Sequence, residues 1–421
     1  MVYLCKLLRI ASASFFITML AACSGVDSDS DTQTNFSVGR SNLEWFDDTR
    51  EELCGNPTPG SKRRLQAYLW YPAEPRPGSE KSSLLDQAQV AFLAALLETP
   101  SEILRKIPSN SYIDAPVANR NSTYPILIMS HGGGGGSPQQ YASTAEALAS
   151  KGYFVLGLSH THHSLATFFS NGDVITLDPS CDPLGASPEL NETSSYDDYT
   201  LNWKYIIELD TFLAEDIASA IKELAKLNKG QGAFTGRIDL DRIGAFGHSF
   251  GGSHVFRALR DLSSIVAAAN LDGTLFSDNL ETALGPGKAL MTMLSGEASG
   301  QSSQASLEAQ VNLLQNLGFT TREATEVASR GRPQIAFAAS RPSYLLSIPS
   351  AKHGNFSDAG LWHELGIPAD QDQVNILASR SILDLQHQML TKFFDKFVKQ
   401  KSLTLSLPAT TLTGVTLESR E

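Results

Sequence analysis

The chain is poor in charge. Asp, Glu, Lys and Arg make up 19% of its 421 residues, against 42% apolar residues. That balance excludes a disordered polymer and leaves enough apolar material for a packed core. Basic residues are the scarcer sign, 33 against 45 acidic ones, for a formal net charge of −12. An acidic body speaks against nucleic acid as a partner and against electrostatic attraction to anionic membranes. Cysteine is rare: of four residues, Cys5 and Cys23 fall near the start, which leaves Cys54 and Cys181 for the body. Their distance in sequence leaves open whether they pair. Neither Cys-x-x-Cys nor His-Glu-x-x-His occurs, so a zinc site has no support and no metal is expected.

No apolar run is long enough to span a bilayer comfortably. The run at the start, Ile10 to Ala22, follows Lys6 and Arg9 and ends in Leu20-Ala21-Ala22-Cys23. A basic start, a short apolar stretch and small residues before a cysteine read as an export signal with a bacterial lipobox. Residues 1–22 are thus expected to be removed and Cys23 lipidated. Ser24, rather than Asp, resembles the pattern of lipoproteins carried to the outer membrane, facing the periplasm or exterior. Residues 23–40, rich in Ser, Asp and Thr, are expected to be a flexible tether. Residues 41–401 form the folded domain, and 402–421, rich in Thr and Ser, a loosely attached tail.

Inside the domain, short apolar runs alternate with helical periodicity. Strands are predicted at Leu65–Tyr71, Pro125–Ser130, Tyr153–Ser159, Arg242–Gly247, Ile265–Leu271, Lys288–Leu294 and Tyr344–Ile348. Runs such as Ile126-Leu127-Ile128-Met129 have no polar alternation, as in parallel strands buried on both faces. Helices are predicted at Gln139–Lys151, Tyr199–Asn228, Gln304–Ser329 and Ser379–Lys399. In the second, Leu213, Ile217, Ala220 and Leu224 share one face, with Glu215, Asp216, Lys222 and Glu223 on the other. The alternation implies an α/β fold, a mostly parallel sheet with helices on both faces. The apolar segment Leu84–Ile107 is either a core-covering helix or a lid-like insertion.

Two motifs carry chemistry. Gly247-His248-Ser249-Phe250-Gly251-Gly252 follows an apolar strand and precedes a helix, the setting of a nucleophile elbow. A serine hydroxyl needs a base, and the base an orienting acid. Among the histidines after Ser249, His353 alone follows a predicted strand in a loop; His254, His363 and His387 fall in helical regions. Asp272 and Glu297 each follow a strand and compete as the acid. The second motif, His131-Gly132-Gly133-Gly134-Gly135-Gly136 at the end of a strand, reads as an oxyanion loop, with Phe250 supplying the other amide. The run His160-Thr161-His162-His163 lacks a spaced acidic partner, so His160, like His131, is expected to line the substrate pocket rather than hold metal.

Tyr124 to Gly136, the Gly247–Gly252 elbow, Leu271-Asp272-Gly273 and His353-Gly354-Asn355-Phe356 together resemble the plasma-type platelet-activating-factor acetylhydrolases. The resemblance runs from about Leu65 to Phe356. It implies an α/β-hydrolase fold and a Ser249, Asp272, His353 triad, with Asp272 preferred to Glu297. It also implies Gly133 and Phe250 as oxyanion donors. The implied reaction is hydrolysis of short or oxidised acyl chains from phospholipids without calcium or any cofactor. Alternatives are a general short-chain carboxylesterase or polyester hydrolase, and a non-catalytic surface-binding lipoprotein. A small-molecule or lipid ester is the expected substrate, with membrane contact through the lipid anchor and no protein partner. The glycine run after Gly132 and the insertion Ala298–Pro333 depart from the family's pattern.

Overall fold

The computed structural model describes residues 35–55, 57–178, 190, 193–301, 304–409 and 412–421. The leader, Cys23 and Cys181 lie outside them. Twelve strands occur among the described residues: β1 (Ser37–Glu51), β2 (Lys62–Ala73), β3 (Ser111–Ile113), β4 (Tyr124–Ser130), β5 (Phe154–Ser159), β6 (Ala166–Phe168), β7 (Val174–Thr176), β8 (Ile238–His248), β9 (Ile265–Leu271), β10 (Ala289–Ser295), β11 (Ser343–Ile348) and β12 (Thr416–Arg420). The helices used below are α1 (Gln87–Leu96), α2 (Ala142–Ser150), α3 (Tyr196–Lys229), α4 (Phe250–Asp261) and α5 (Ser379–Phe397).

Ten strands form one sheet in the order β12-β11-β10-β9-β8-β4-β5-β2-β1-β3, and β6 and β7 form a separate hairpin. From β5 to β11 every neighbouring pair is parallel. The chain steps from β4 outward to β5, then returns across β4 to β8. The reversal therefore lies between β4 and β8, and ligands in open α/β sheets bind outside the carboxyl ends of strands at such a point. Both chemical motifs begin there.

Burial on two faces follows from side chains alternating along each strand. Ile126 and Ile128 pack with Ile217, Ala220 and Leu224 of α3 and with Val255 and Leu259 of α4. Leu127 and Met129 face the other way, toward Ala145 and Leu148 of α2 and Leu385, Met389 and Phe393 of α5. Full burial of one such side chain stabilises by about 1.5–3 kcal/mol. The doubly covered β4 is therefore a rigid platform for the loop that follows it.

All seven predicted strands form. Two predicted boundaries do not hold. The tether was expected to reach residue 40, yet β1 begins at Ser37, because Val38 and Trp45 reach apolar cores and the buried Arg40 donates to the Ser83 and Leu84 carbonyls. The C-terminal tail is not loose at its end: β12 pairs antiparallel with β11, and Glu421 accepts from Tyr344 and Lys396. The predicted helix Gln304–Ser329 is two helices, Gln304–Asn316 and Thr321–Ser329, with a capping box at Thr320 starting the second.

Part of Leu84–Ile107 covers the core, as one of the two readings expected. Leu84, Leu85, Val90, Leu104 and Ile107 enter the core, while Phe92, Leu93 and Leu97 border a cavity.

Candidate active site

Ser249 sits at the corner between β8 and α4 with φ 55° and ψ −124°. A left-handed backbone at a non-glycine residue costs about 1–3 kcal/mol and persists only where its surroundings enforce it. Here two glycines enforce it. A Cβ on Gly251 would lie 2.3 Å from the Ser130 carbonyl oxygen, and one on Gly247 would lie 2.1 Å from the Gly251 oxygen. The elbow thus presses against itself and against the end of β4, and only bare backbone fits. The Ser249 amide donates to the Leu271 carbonyl, which ties the corner to β9.

Asp272, one residue beyond β9, also has φ 55°. Its carboxylate accepts the Ser295 amide at 2.7 Å and the Nδ1 proton of His353 at 2.8 Å. Burial pushes its carboxyl pKa upward, but the hydrogen bonds from His353 and Ser295 outweigh burial and hold it below the ordinary carboxylate range. The pair's stabilisation is therefore complete at neutral pH and fades as pH falls through that lowered value. Because Nδ1 carries the proton toward Asp272, the neutral ring leaves Nε2 as a base. The carboxylate is almost fully buried and the imidazole is partly open to solvent. Of the two candidate acids, Asp272 is the one hydrogen-bonded to the His353 ring, while Glu297 lies in the helix Gly296–Gln301 after β10.

The glycine loop lies over the elbow. A Cβ on Gly132 would be 3.2 Å from Ser249 Cβ, and one on Gly133 would be 3.4 Å from Phe250 Cβ. The Gly132 amide is committed to the Tyr141 hydroxyl. Gly133, the donor that the resemblance implies, lies against Phe250 at the start of α4. A helix N-terminus favours developing negative charge.

His131 and His160, expected to line the substrate pocket, are held by hydrogen bonds inside the protein. Both rings are buried and their nitrogens are spent inside the protein. His131 donates from Nδ1 to the Gly132 carbonyl and accepts from the Ser164 hydroxyl at Nε2, each at 2.7 Å. Burial lowers its pKa to about 3, so it stays neutral. His160 donates from Nδ1 to Asp216 at 2.8 Å, and its Nε2 meets the Ser130 hydroxyl at 2.8 Å. Both rings also line a small cavity with Gly133 and Phe250. Asp216 was expected on the polar face of α3, yet it is fully buried. Arg63, also fully buried, binds it through two guanidinium nitrogens at 2.6 and 2.7 Å. A buried carboxylate requires such pairing. Cys54 is disulfide-bonded.

Two cavities open beside these groups. One of about 280 Å³ is mostly apolar, lined among others by Phe92, Leu93, Leu97, Leu165, Phe168 and Trp362, and reaches Gly354 next to His353. The other, about 200 Å³ and more polar, borders Asp272 with Thr274, Gln310 and Arg330. Sequence reading missed His248 and Tyr141, both buried against the site. The only cue was the place of His248 beside the serine.

Residues 62–179 match the family described as platelet-activating factor acetylhydrolase, isoform II. That segment holds the glycine loop and ends before Ser249. A relative from Arthroderma benhamiae, "Probable 1-alkyl-2-acetylglycerophosphocholine esterase", is 30% identical over 171 residues, which is 39% of this chain. The chain spans 35% of that relative's length. A ferulic acid esterase from Streptomyces cinnamoneus superposes with a TM-score of 0.63 at 20% identity, covering 92% of this chain and 97% of the other. The last likeness concerns the fold, and it agrees with the parallel sheet described above. The segment that holds the glycine loop thus resembles the platelet-activating factor acetylhydrolase family, and the fold as a whole resembles that of a solved esterase.

Proposed function

We propose that the protein is a serine esterase that cleaves short-chain acyl esters through an acyl-enzyme, among them short or oxidised sn-2 acyl groups of phospholipids. The observation that carries this reading is the Asp272–His353 hydrogen bond beside the strained elbow of Ser249. In the proposed reaction Ser249 attacks the ester carbonyl while Nε2 of His353 takes its proton. The tetrahedral oxyanion is held by the Gly133 and Phe250 amides. The imidazolium then protonates the departing alcohol, and water, activated by the same ring, releases the acid. No step calls for a cofactor.

The apolar cavity next to His353 supports an aliphatic acyl group of limited length. Kinetics on p-nitrophenyl esters from acetate to palmitate, beside a short-chain phospholipid, test the reading. Rates are expected to peak at short chains, with the phospholipid also cleaved. Leu97→Trp, which narrows the cavity, should cut kcat/KM for the longest accepted chain by about tenfold or more and leave acetate nearly unchanged. Cleavage of the p-nitrophenyl esters alone would instead favour a general carboxylesterase.

The leader supports a lipid anchor at Cys23 in a bacterial outer membrane. Cys23→Ser should release a soluble, fully active enzyme, because the candidate triad lies far along the chain. Membrane retention by the variant, or no palmitate incorporation in the wild type, would contradict the anchor.

A further inference from the structure

The Gly132 amide, the Tyr141 hydroxyl, the His248 ring and the His353 carbonyl form an unbroken hydrogen-bond chain. The separations are 3.3 Å from the amide to Tyr141, 2.8 Å from Tyr141 to His248 Nδ1, and 2.9 Å from His248 Nε2 to the carbonyl. Its direction is forced at both ends. An amide can only donate, so Tyr141 accepts from Gly132. A carbonyl can only accept, so Nε2 of His248 carries a proton. In the neutral ring Nδ1 is then an acceptor, and the Tyr141 proton points to it. Every link is satisfied in one direction only.

Both side chains are buried, Tyr141 at 3% exposure and His248 at 6%, so water is a poor substitute for a lost partner. Burial first, and the neighbouring His353 second, lower the His248 pKa to about 3. The ring centroids of the two histidines are 4.5 Å apart. A charged His248 would repel the imidazolium that forms on His353; a neutral one does not. The chain leaves from the loop that carries Gly133 and ends on the backbone of the residue that carries the proton, and it passes through the side chain preceding Ser249.

Resting on the esterase reading, we propose that Tyr141 and His248 are positioning residues that hold the oxyanion loop and the His353 backbone at a fixed separation across Ser249. Misplacement of reacting groups by about 1 Å can cost on the order of 10² in rate. A residue that merely fills space would be replaced adequately by any side chain of similar volume. Glutamine is the discriminating replacement, since its amide oxygen can accept from Tyr141 while its nitrogen donates to the His353 carbonyl.

The test compares His248→Leu, His248→Gln and Tyr141→Phe by kcat and KM on p-nitrophenyl acetate, with melting temperatures. His248→Leu should lower kcat by about 10–100-fold with KM within about twofold, and His248→Gln should recover most of that loss. Tyr141→Phe, which removes one oxygen and leaves the bond from His248 to the His353 carbonyl, should fall between them. A folded His248→Leu with wild-type kcat overturns the proposal. So does a glutamine variant no better than leucine at equal melting temperature. If His248→Leu fails to fold, Tyr141→Phe decides, and an unchanged kcat there overturns the proposal. Fluorophosphonate labelling separates the two levels. A wild-type chain that takes no label on Ser249 overturns the esterase reading itself; normal labelling with unimpaired His248→Leu overturns only the positioning role.

Discussion

Ser249→Ala is expected to reduce turnover of a short-chain ester by on the order of 10⁶, leaving only a small residual rate. The hydroxyl is the one group at the elbow that can form an acyl-enzyme, so its loss removes the covalent route rather than slowing it. The oxyanion amides and the cavity remain, and their residual effect over water is on the order of 10³–10⁴. The substitution should barely disturb the fold. Alanine must adopt the same left-handed backbone that serine already tolerates, and the packing of Gly251 on β4 is unchanged. Turnover measured with circular dichroism checks both halves. A folded variant with near-wild-type turnover would remove Ser249 from the mechanism.

Asp272→Asn should lower turnover by roughly 10²–10⁴, and Glu297→Gln by less than about tenfold. Asp272 accepts the Nδ1 proton of His353, which fixes the tautomer and stabilises the imidazolium formed during attack. An asparagine can turn its NH₂ toward Nδ1. The ring would then carry its proton on Nε2, where a base is needed. The Ser295 amide can still bond to the asparagine oxygen, so the loop after β9 should keep its shape. Glu297 starts a short helix after β10, and the His353 ring nitrogen is already engaged by Asp272. Kinetics on both variants settle the assignment. The reverse ranking would shift the acid to Glu297 and leave the serine and histidine in place.

The parts of this fold that were legible in sequence are those whose burial is symmetric. Strands covered on both faces, such as Tyr124–Ser130 and Ile265–Leu271, are apolar at nearly every position and declare themselves. β1 does not, because its buried positions include Arg40 and Ser41, whose partners come from distant segments, and Asp47, held by nearby Thr49 and Arg50. β12 is short, half exposed and visible only through its pairing with β11. Ser249, Asp272 and His353 stood out as candidates because each follows a strand, with the resemblance favouring Asp272 over Glu297. The hydrogen-bond partners of His131 and His160 and the burial of Asp216 were not. A buried polar residue and an exposed one have the same letter, and the partner that permits burial, Arg63 for Asp216, lies far away in sequence. Tyr141 and His248 were hidden for the same reason: their meaning is a directional chain of hydrogen bonds, which exists only once the loop, the elbow and the His353 turn have met.

The central claim is a nucleophilic serine at residue 249, and covalent capture tests it most directly. The active protein would be inactivated with a fluorophosphonate, digested, and its peptides read by mass spectrometry. One adduct per chain is expected, on the Ser249 hydroxyl, with loss of esterase activity in proportion to labelling and no adduct in Ser249→Ala. An unmodified Ser249 in fully inactivated protein, or esterase activity that survives complete labelling of that residue, would contradict it.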